Sequence, residues 1–244
     1  MAISSPPRRS GQAAAPHGHQ GPVAALVVAL VAVLVLAAVV VALLTRGGSS
    51  GSGVQGSGVA ATQSRVLATF SRLDLAGSND VTVAVGGRQS VVVHADSNLM
   101  RYVTTRVVAG TLVIGTTGSF TTRSSMSVEV SVPSLAAVTL SGSGKISVTG
   151  IDGPRLTVTL PGSGALDVSG TVTQLNVTLD GSGLAQLDNL VARDVHAVVA
   201  GSGLVRVTAT ASLNAAVPGS GAVIYSGNPQ VTSSVTGSGA VTRG

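Results

Sequence analysis

A chain of 244 residues, 44% of them hydrophobic, has room for a packed domain, but with two Phe, two Tyr and no Trp its core must be built from Val, Leu, Ala and Ile. The 32 glycines stand beside only 9 prolines and follow no triplet period, which excludes collagen, while abundant Val and Thr exclude simple disorder and favour strands. Absence of cysteine excludes disulfides, thiolate metal sites and a cysteine nucleophile; the net charge of +5 shrinks to eleven basic against nine acidic residues from Gly47 onward, with no basic run, so nucleic acid is not an expected partner.

Residues 1–22 are rich in Pro, Ala, Gly and Ser and carry no apolar period, so they read as a disordered tail. His17 and His19 stand in that tail without a third ligand, and no metal site is assigned to them. Residues 23–44 form an unbroken apolar run of 22 residues. As a helix it reaches about 33 Å at about 1.5 Å per residue, enough for a hydrocarbon core of about 30 Å. The competing reading is a cleaved signal peptide, but its apolar stretch is normally about 7–15 residues long and ends in a small-residue cleavage site, which does not follow Leu44. The run is therefore expected to be one transmembrane α-helix, an uncleaved signal anchor. Arg8 and Arg9 precede it and only Arg46 follows closely, which puts the N-terminus in the cytoplasm and the rest of the chain outside the cell or in the periplasm. Residues 45–64, dominated by Gly and Ser, read as a flexible tether of about 25 Å r.m.s. length. Its Gly-Ser-Gly copies at 51–53 and 56–58 have no strand pattern around them and count as linker composition.

Residues 65–134 contain strand-like alternations at 81–85, 90–94, 111–114 and 127–132, separated by loop signals at Asp96-Ser97-Asn98 and over 116–125. They are expected to supply irregular first coils that cover one end of the stack of repeats that follows.

Over residues 135–244 one triplet returns: Gly142-Ser143-Gly144, Gly162-Ser163-Gly164, Gly181-Ser182-Gly183, Gly201-Ser202-Gly203, Gly219-Ser220-Gly221 and Gly237-Ser238-Gly239, at spacings of 20, 19, 20, 18 and 18. Six, four and two residues before each first glycine stand apolar residues, from Ala136, Val138 and Leu140 to Val231, Ser233 and Val235; seventeen of the eighteen positions are apolar. A second short alternation follows each triplet, Ile146 and Val148 in the first case and Val223 and Tyr225 in the fifth. Period two with one apolar face is a half-buried strand. Each unit is thus a strand, a glycine corner, a strand and a looser return such as residues 150–154. Glycine suits the corner because it accepts positive φ and lets backbones approach closely.

Such units fit an all-β parallel β-helix of single-stranded coils of 18–20 residues, with corners stacked in a ladder, or else an antiparallel meander or sandwich with Gly-Ser-Gly as a hairpin turn. The constant inward register after every corner favours the coil. In it the six serines are expected to form a hydroxyl ladder between neighbouring corners.

No catalytic, cofactor-binding or metal-ligating residue is assigned. With the repeats aligned on their corners, Asp167 falls where other coils carry Ser147, Gln186, Arg206, Ile224 and Thr242, and Asp180 falls where they carry Ser141, Pro161, Ala200, Pro218 and Thr236. No carboxylate lies over another, as a polysaccharide-cleaving β-helix would need. The serines sit in no Gly-x-Ser-x-Gly elbow, and His94 and His196 are single strand histidines. Asn176-Val177-Thr178 is a formal glycosylation sequon within an expected strand. Because the chain stops just after the sixth triplet, the last coil is expected to leave strand edges open to a second copy or to a partner's strand.

The succession Phe70-x-x-Leu73-x-Leu75, Val81-x-Val83, Asp96-x-Asn98-Leu99, Leu112-x-Ile114, Val130-x-Val132-Pro133-x-Leu135 and Leu140-Ser-Gly-Ser-Gly144 resembles the auto-transporter adhesin head domain family, the GIN domain. The resemblance covers residues 66–239, and the repeated Gly-Ser-Gly after an alternating strand is its most specific part. It implies a right-handed β-helix at the cell surface or in the periplasm of a bacterium, and no catalytic residues. The expected function is a membrane-anchored surface module, an adhesin or scaffold that binds glycan or protein by its β faces. An envelope sensor and a polysaccharide-active enzyme are the alternatives.

Overall fold

The computed structural model describes residues 53–244. The expected tail, the expected transmembrane helix and the first part of the expected tether lie outside the described residues. Among the described residues no helix is long and apolar enough to cross a membrane.

The chain enters through β1 (Val54–Gln55) and β2 (Ala60–Ser64), then makes a short coil from β3 (Arg72–Leu75) and β4 (Asp80–Val85). An excursion follows, with β5 (Ser90–Asp96), one 3-10 turn (Met100–Tyr102), β6 (Val103–Val108), β7 (Thr111–Thr116), β8 (Phe120–Thr121) and β9 (Ser127–Val132). The stack resumes at β10 (Ala137–Leu140) and winds through β11 (Lys145–Leu160), β12 (Ala165–Leu179), β13 (Leu184–Val199) and β14 (Leu204–Val217). It finishes with β15 (Ala222–Gly227), β16 (Gln230–Val235) and β17 (Ala240–Arg243).

From β3 onward, successive coils pair in parallel. Val138 stands over Leu73 in one direction and Val158 in the other, and the column continues through Val177, Ala197, Ala215 and Ser233. On the far side of the corner, Val81, Ile146, Leu166, Ala185, Val205, Val223 and Val241 form a matching column. This parallel pairing excludes the antiparallel meander. The described part of the chain is all-β and solenoid-like, a parallel β-helix.

Alternation along each strand sends one set of side chains to the axis. Leu156, Val158 and Leu160, with Leu175 and Leu179 above them, are 0% exposed, and so are Ile146, Val148, Leu166 and Val168 from the earlier part of the same two strands. Each such aliphatic side chain contributes about 1.5–3 kcal/mol on full burial. The first and last frames differ. Ala136 is exposed, and the nearby buried residue is Leu135 at 7%. Val231 and Val235 of the sixth frame are 40% and 43% exposed.

The return is tighter than its sequence signalled. Lys145–Leu160 is one strand through Gly150 and Gly153, with a shift of register between Val148 and Ile151. Similar shifts fall between Asp167 and Gly170, between Leu187 and Val191, and between Ala192 and Asp194. The last coils, spaced 18 and 18, pair from Leu204 to Ala209 and from Ser212 to Val217 with no shift. Unequal coil lengths are therefore absorbed at the return as bulges, while the corner stays constant.

The excursion caps the β3–β4 coil. On one side of the corner β7 pairs in parallel with β3 and antiparallel with β6; on the other β9 pairs in parallel with β4 and antiparallel with β5, which pairs with β2. This turns off parallel stacking at that end. The described residues of the stretch expected as tether, 53–64, carry β1 and β2. β1 pairs with β8, and Gly56 is buried so close to Asp96 that a Cβ there would collide with its carboxylate. Gly-Ser-Gly at 56–58 is thus a docked segment, a correction to its reading as linker: the partners that fix it come from residues 96–98 and 121, about forty or more positions away.

Candidate functional site

The corner is the recurring local structure, and its chemistry lies in the backbone. Gly162 N donates to Leu140 O at 3.2 Å, Gly181 N to Leu160 O at 3.1 Å, Gly201 N to Leu179 O at 3.1 Å and Gly219 N to Val199 O at 3.2 Å. After the corner, Ala165, Leu184, Leu204 and Ala222 donate to Gly144, Gly164, Gly183 and Gly203. Both glycines are demanded by close approach. A Cβ on Gly142, Gly162, Gly181, Gly201, Gly219 or Gly237 would lie well inside 3.0 Å of a carbonyl oxygen of the preceding coil. The same holds for Gly144, Gly164, Gly183, Gly203, Gly221 and Gly239, which also meet backbone or an interior methyl. Positive φ is not the reason here; it occurs at the return, at Gly150, Gly170 and Gly227 with φ of 79°, 137° and 94°.

Ser143, Ser163, Ser182, Ser202, Ser220 and Ser238 stand between these glycines, all exposed. Among the described residues no hydrogen bond joins their hydroxyls, so the expected hydroxyl ladder is replaced by the amide ladder just described. They line the outside of the corner as a row, and a shallow groove of about 320 Å³ runs along Ser78, Asp80, Ser143, Lys145, Ser163 and Ser182.

That groove reaches one corner that the sequence reading passed over. Ala76-Gly77-Ser78-Asn79 lies directly below residues 141–144: Gly144 N donates to Gly77 O and Lys145 N to Asn79 O, each at 3.2 Å. Leu73 and Leu75 before it and Val81 and Val83 after it form the same frame, a signal present in the sequence but disguised by Asn79 in place of the second glycine. Asn79 is 4% exposed, and its Oδ1 and Nδ2 have no hydrogen-bond partner among the described residues. A buried polar group left in that state costs about 1–3 kcal/mol. It borders a pocket of about 410 Å³ lined by Ser78, Asn79, Asp80, Thr116, Phe120, Thr121, Thr122 and Met126. Phe120 also packs on Tyr102, with ring centroids 5.6 Å apart, so two of the chain's four aromatic side chains meet beside this end.

A second polar centre holds the entering chain. Asp96 Oδ1 accepts from Gly58 N at 2.9 Å and Ser124 Oγ at 2.8 Å, and Oδ2 accepts from Arg123 N at 2.8 Å and Ser124 N at 3.3 Å. The Arg123 N–H above all, aided by Ser124 and Gly58 and opposed by burial, holds this carboxyl below its ordinary pKa. Asn98 adds two bonds to the same segment, from Ser57 N and to Gln55 O. In the β3 strand, burial raises the pKa of Asp74 despite the bond it accepts from Ser141 Oγ.

The remaining candidates are dispersed. Asp167 lies between Ser147 and Gln186 in the parallel register, Asp180 is exposed before its corner, and no strand register sets one carboxylate against another among the described residues. His196 is exposed between Asn176 and Asn214. His94 lies 3.4 Å from Glu129 and 3.1 Å from Thr62 Oγ1. Among the described residues no group of three acidic or histidine side chains converges as a metal site would require.

Comparison with known proteins gives the same fold. No curated protein matches the chain. A solved structure described as a "putative adhesin" from Bacteroides fragilis superposes with a TM-score of 0.67 at 20% identity, covering 78% of this chain and 100% of its own. One described as a "putative lipid binding protein" from Parabacteroides distasonis gives a TM-score of 0.52 at 23% identity, covering 79% of this chain and 100% of its own. At these identities the likeness is one of fold. Residues 69–229 match the family described as "Putative auto-transporter adhesin, head GIN domain", and because they make up more than half of the 244 residues, the chain belongs to that family.

Proposed function

We propose that this protein is a membrane-anchored surface module that binds glycan or protein through the flat outer faces of its β-helix, as an adhesin or scaffold. The observation that carries this reading is the in-register outer row Ala137, Thr157, Asn176, His196, Asn214 and Thr232, a column of mostly short polar side chains spaced by one strand each. Such a face presents a side chain at intervals of about 4.8 Å, five of the six polar, and weak contacts repeated along it add by avidity. The apolar run at 23–44 is its anchor, with the N-terminus in the cytoplasm and the β domain outside. The coils wind right-handed, as parallel crossover connections do in about 98% of cases. Self-association belongs to the same proposal: the outer edge of β16, with Val231 and Val235 partly exposed, accepts a strand from a second copy.

The test uses the full chain reconstituted in liposomes and passed over surfaces coated with bacterial glycans, mucins and matrix proteins. Retention that survives deletion of residues 2–20 and weakens when Asn176→Glu and Asn214→Glu alter the outer face is the expected result. Liposomes that pass every surface as freely as protein-free ones would overturn the proposal. Val231→Lys is expected to shift the sedimentation of the detergent-solubilised chain toward monomer.

A further inference from the structure

The capped end of the stack holds a pocket whose chemistry differs from that of the repetitive faces. Its wall includes the one corner among the described residues in which an asparagine replaces the second glycine; the next corners carry Gly144, Gly164, Gly183, Gly203, Gly221 and Gly239 there. Asn79 brings an amide with one acceptor and two donors, buried and unpaired among the described residues. Asp80 follows with a carboxylate on the pocket wall, where the coils above carry Lys145, Ala165 and Leu184. The hydroxyls of Ser78, Thr116, Thr121 and Thr122 surround them, and Phe120 and Met126 supply the apolar part.

We propose that this pocket is a discrete binding site for a neutral pyranose ring, the terminal sugar of a glycan. Vicinal sugar hydroxyls both donate and accept, as the amide of Asn79 and the threonine hydroxyls do, and a carboxylate accepts from two of them at once. The C–H face of the ring lies on Phe120. Asp80, with no cation on the pocket wall, discriminates against sugar acids. A volume of about 410 Å³ admits one ring and leaves the rest of a glycan outside. The Asn79 amide lines the pocket with no partner of its own, so a ligand hydroxyl that reaches it supplies the hydrogen bonds it lacks. The inference rests on the reading of the domain as a binding module and names a site and ligand class for it.

The test is titration of methyl glycosides of glucose, galactose, mannose and N-acetylglucosamine, with methyl glucuronide as the acidic control. The full chain is kept in a detergent without a sugar headgroup, and binding is read by calorimetry. At least one neutral glycoside should bind saturably in the millimolar range or tighter, and the glucuronide should not. Asn79→Gly and Asp80→Ala replace each residue by one that other coils carry at the same place, so they preserve the fold, and each should weaken binding roughly tenfold or more. A melting temperature that is not lowered shows that the loss is local. Glycoside binding that is indifferent to both substitutions, or no binding of any neutral glycoside, would overturn the pocket. If liposomes bearing the same chain still adhere to coated surfaces, only the pocket falls; if adhesion is absent too, the module reading falls with it.

Discussion

A corner glycine and the serine beside it differ in consequence although they repeat equally often. At Gly201 a methyl group would strike the carbonyl oxygens of Asp180 and Gly181, whereas Ser202 points outward and is exposed. Gly201→Ala should therefore lower stability by about 1–3 kcal/mol or more, the range for overpacked sites. Ser202→Ala should stay within about 0.5 kcal/mol. Chemical denaturation of the two variants checks both. The two shifted carboxyls act in opposite directions. Asp96 has a folded pKa below the ordinary 3.8, so its contribution is complete above 3.8 and is lost as pH falls through the lower folded value. Asp96→Asn, which removes one accepting oxygen, should lower the melting temperature at pH 7 and flatten the acid limb of the stability profile. Asp74 has a folded pKa above 3.8, so the stability conferred by its protonated form declines as pH rises from 3.8 through the raised value. Asp74→Asn should accordingly help at pH 7 and have little effect below 3.8, as thermal melts across pH will show.

Along one coil the corner is rigid and the return is elastic. Amide-to-carbonyl bonds pass straight through the corner, whereas β13 slips its register twice against β14. One glycine inserted between Asp188 and Asn189, at the return, should cost less than about 1 kcal/mol because a bulge already stands there. The same insertion between Ser182 and Gly183 would turn the following strand's inward residues outward and should abolish cooperative unfolding. Circular dichroism melts of both insertions decide the matter. This division explains what the sequence made legible. Strict alternation in Leu175, Val177 and Leu179 marks an inward face directly, and the repeated Gly-Ser-Gly marks the corner. The return lacks a fixed residue pattern because bulges tolerate many sequences, so residues 150–154 looked like a loop although they continue a strand. Asn79 hid the first corner, and Asp96 gave no local sign of its role, since all its partners are 27 or more positions distant.

At the scale of the whole molecule, the described chain is a stack with two dissimilar ends. Antiparallel strands and the Asp96 clip close the end where the chain enters, and the other end shows Val231 and Val235. The arrangement follows from putting the irregular strands first and the regular coils after them, and the sequence order displays it. The pocket beside Asn79 was not legible, because residues 78–80 and 116–126 meet only through the parallel pairing of β3 with β7 and of β4 with β9. That stacking is the central claim, and the cysteine-free chain allows it to be measured by spin labels introduced in pairs. With one label at Ser143→Cys and the other at Ser202→Cys, Ser220→Cys or Ser238→Cys, separations should rise evenly by about 4.8 Å per coil, near 14, 19 and 24 Å. A label at position 238 that lies as close to position 143 as one at 202 does would contradict it.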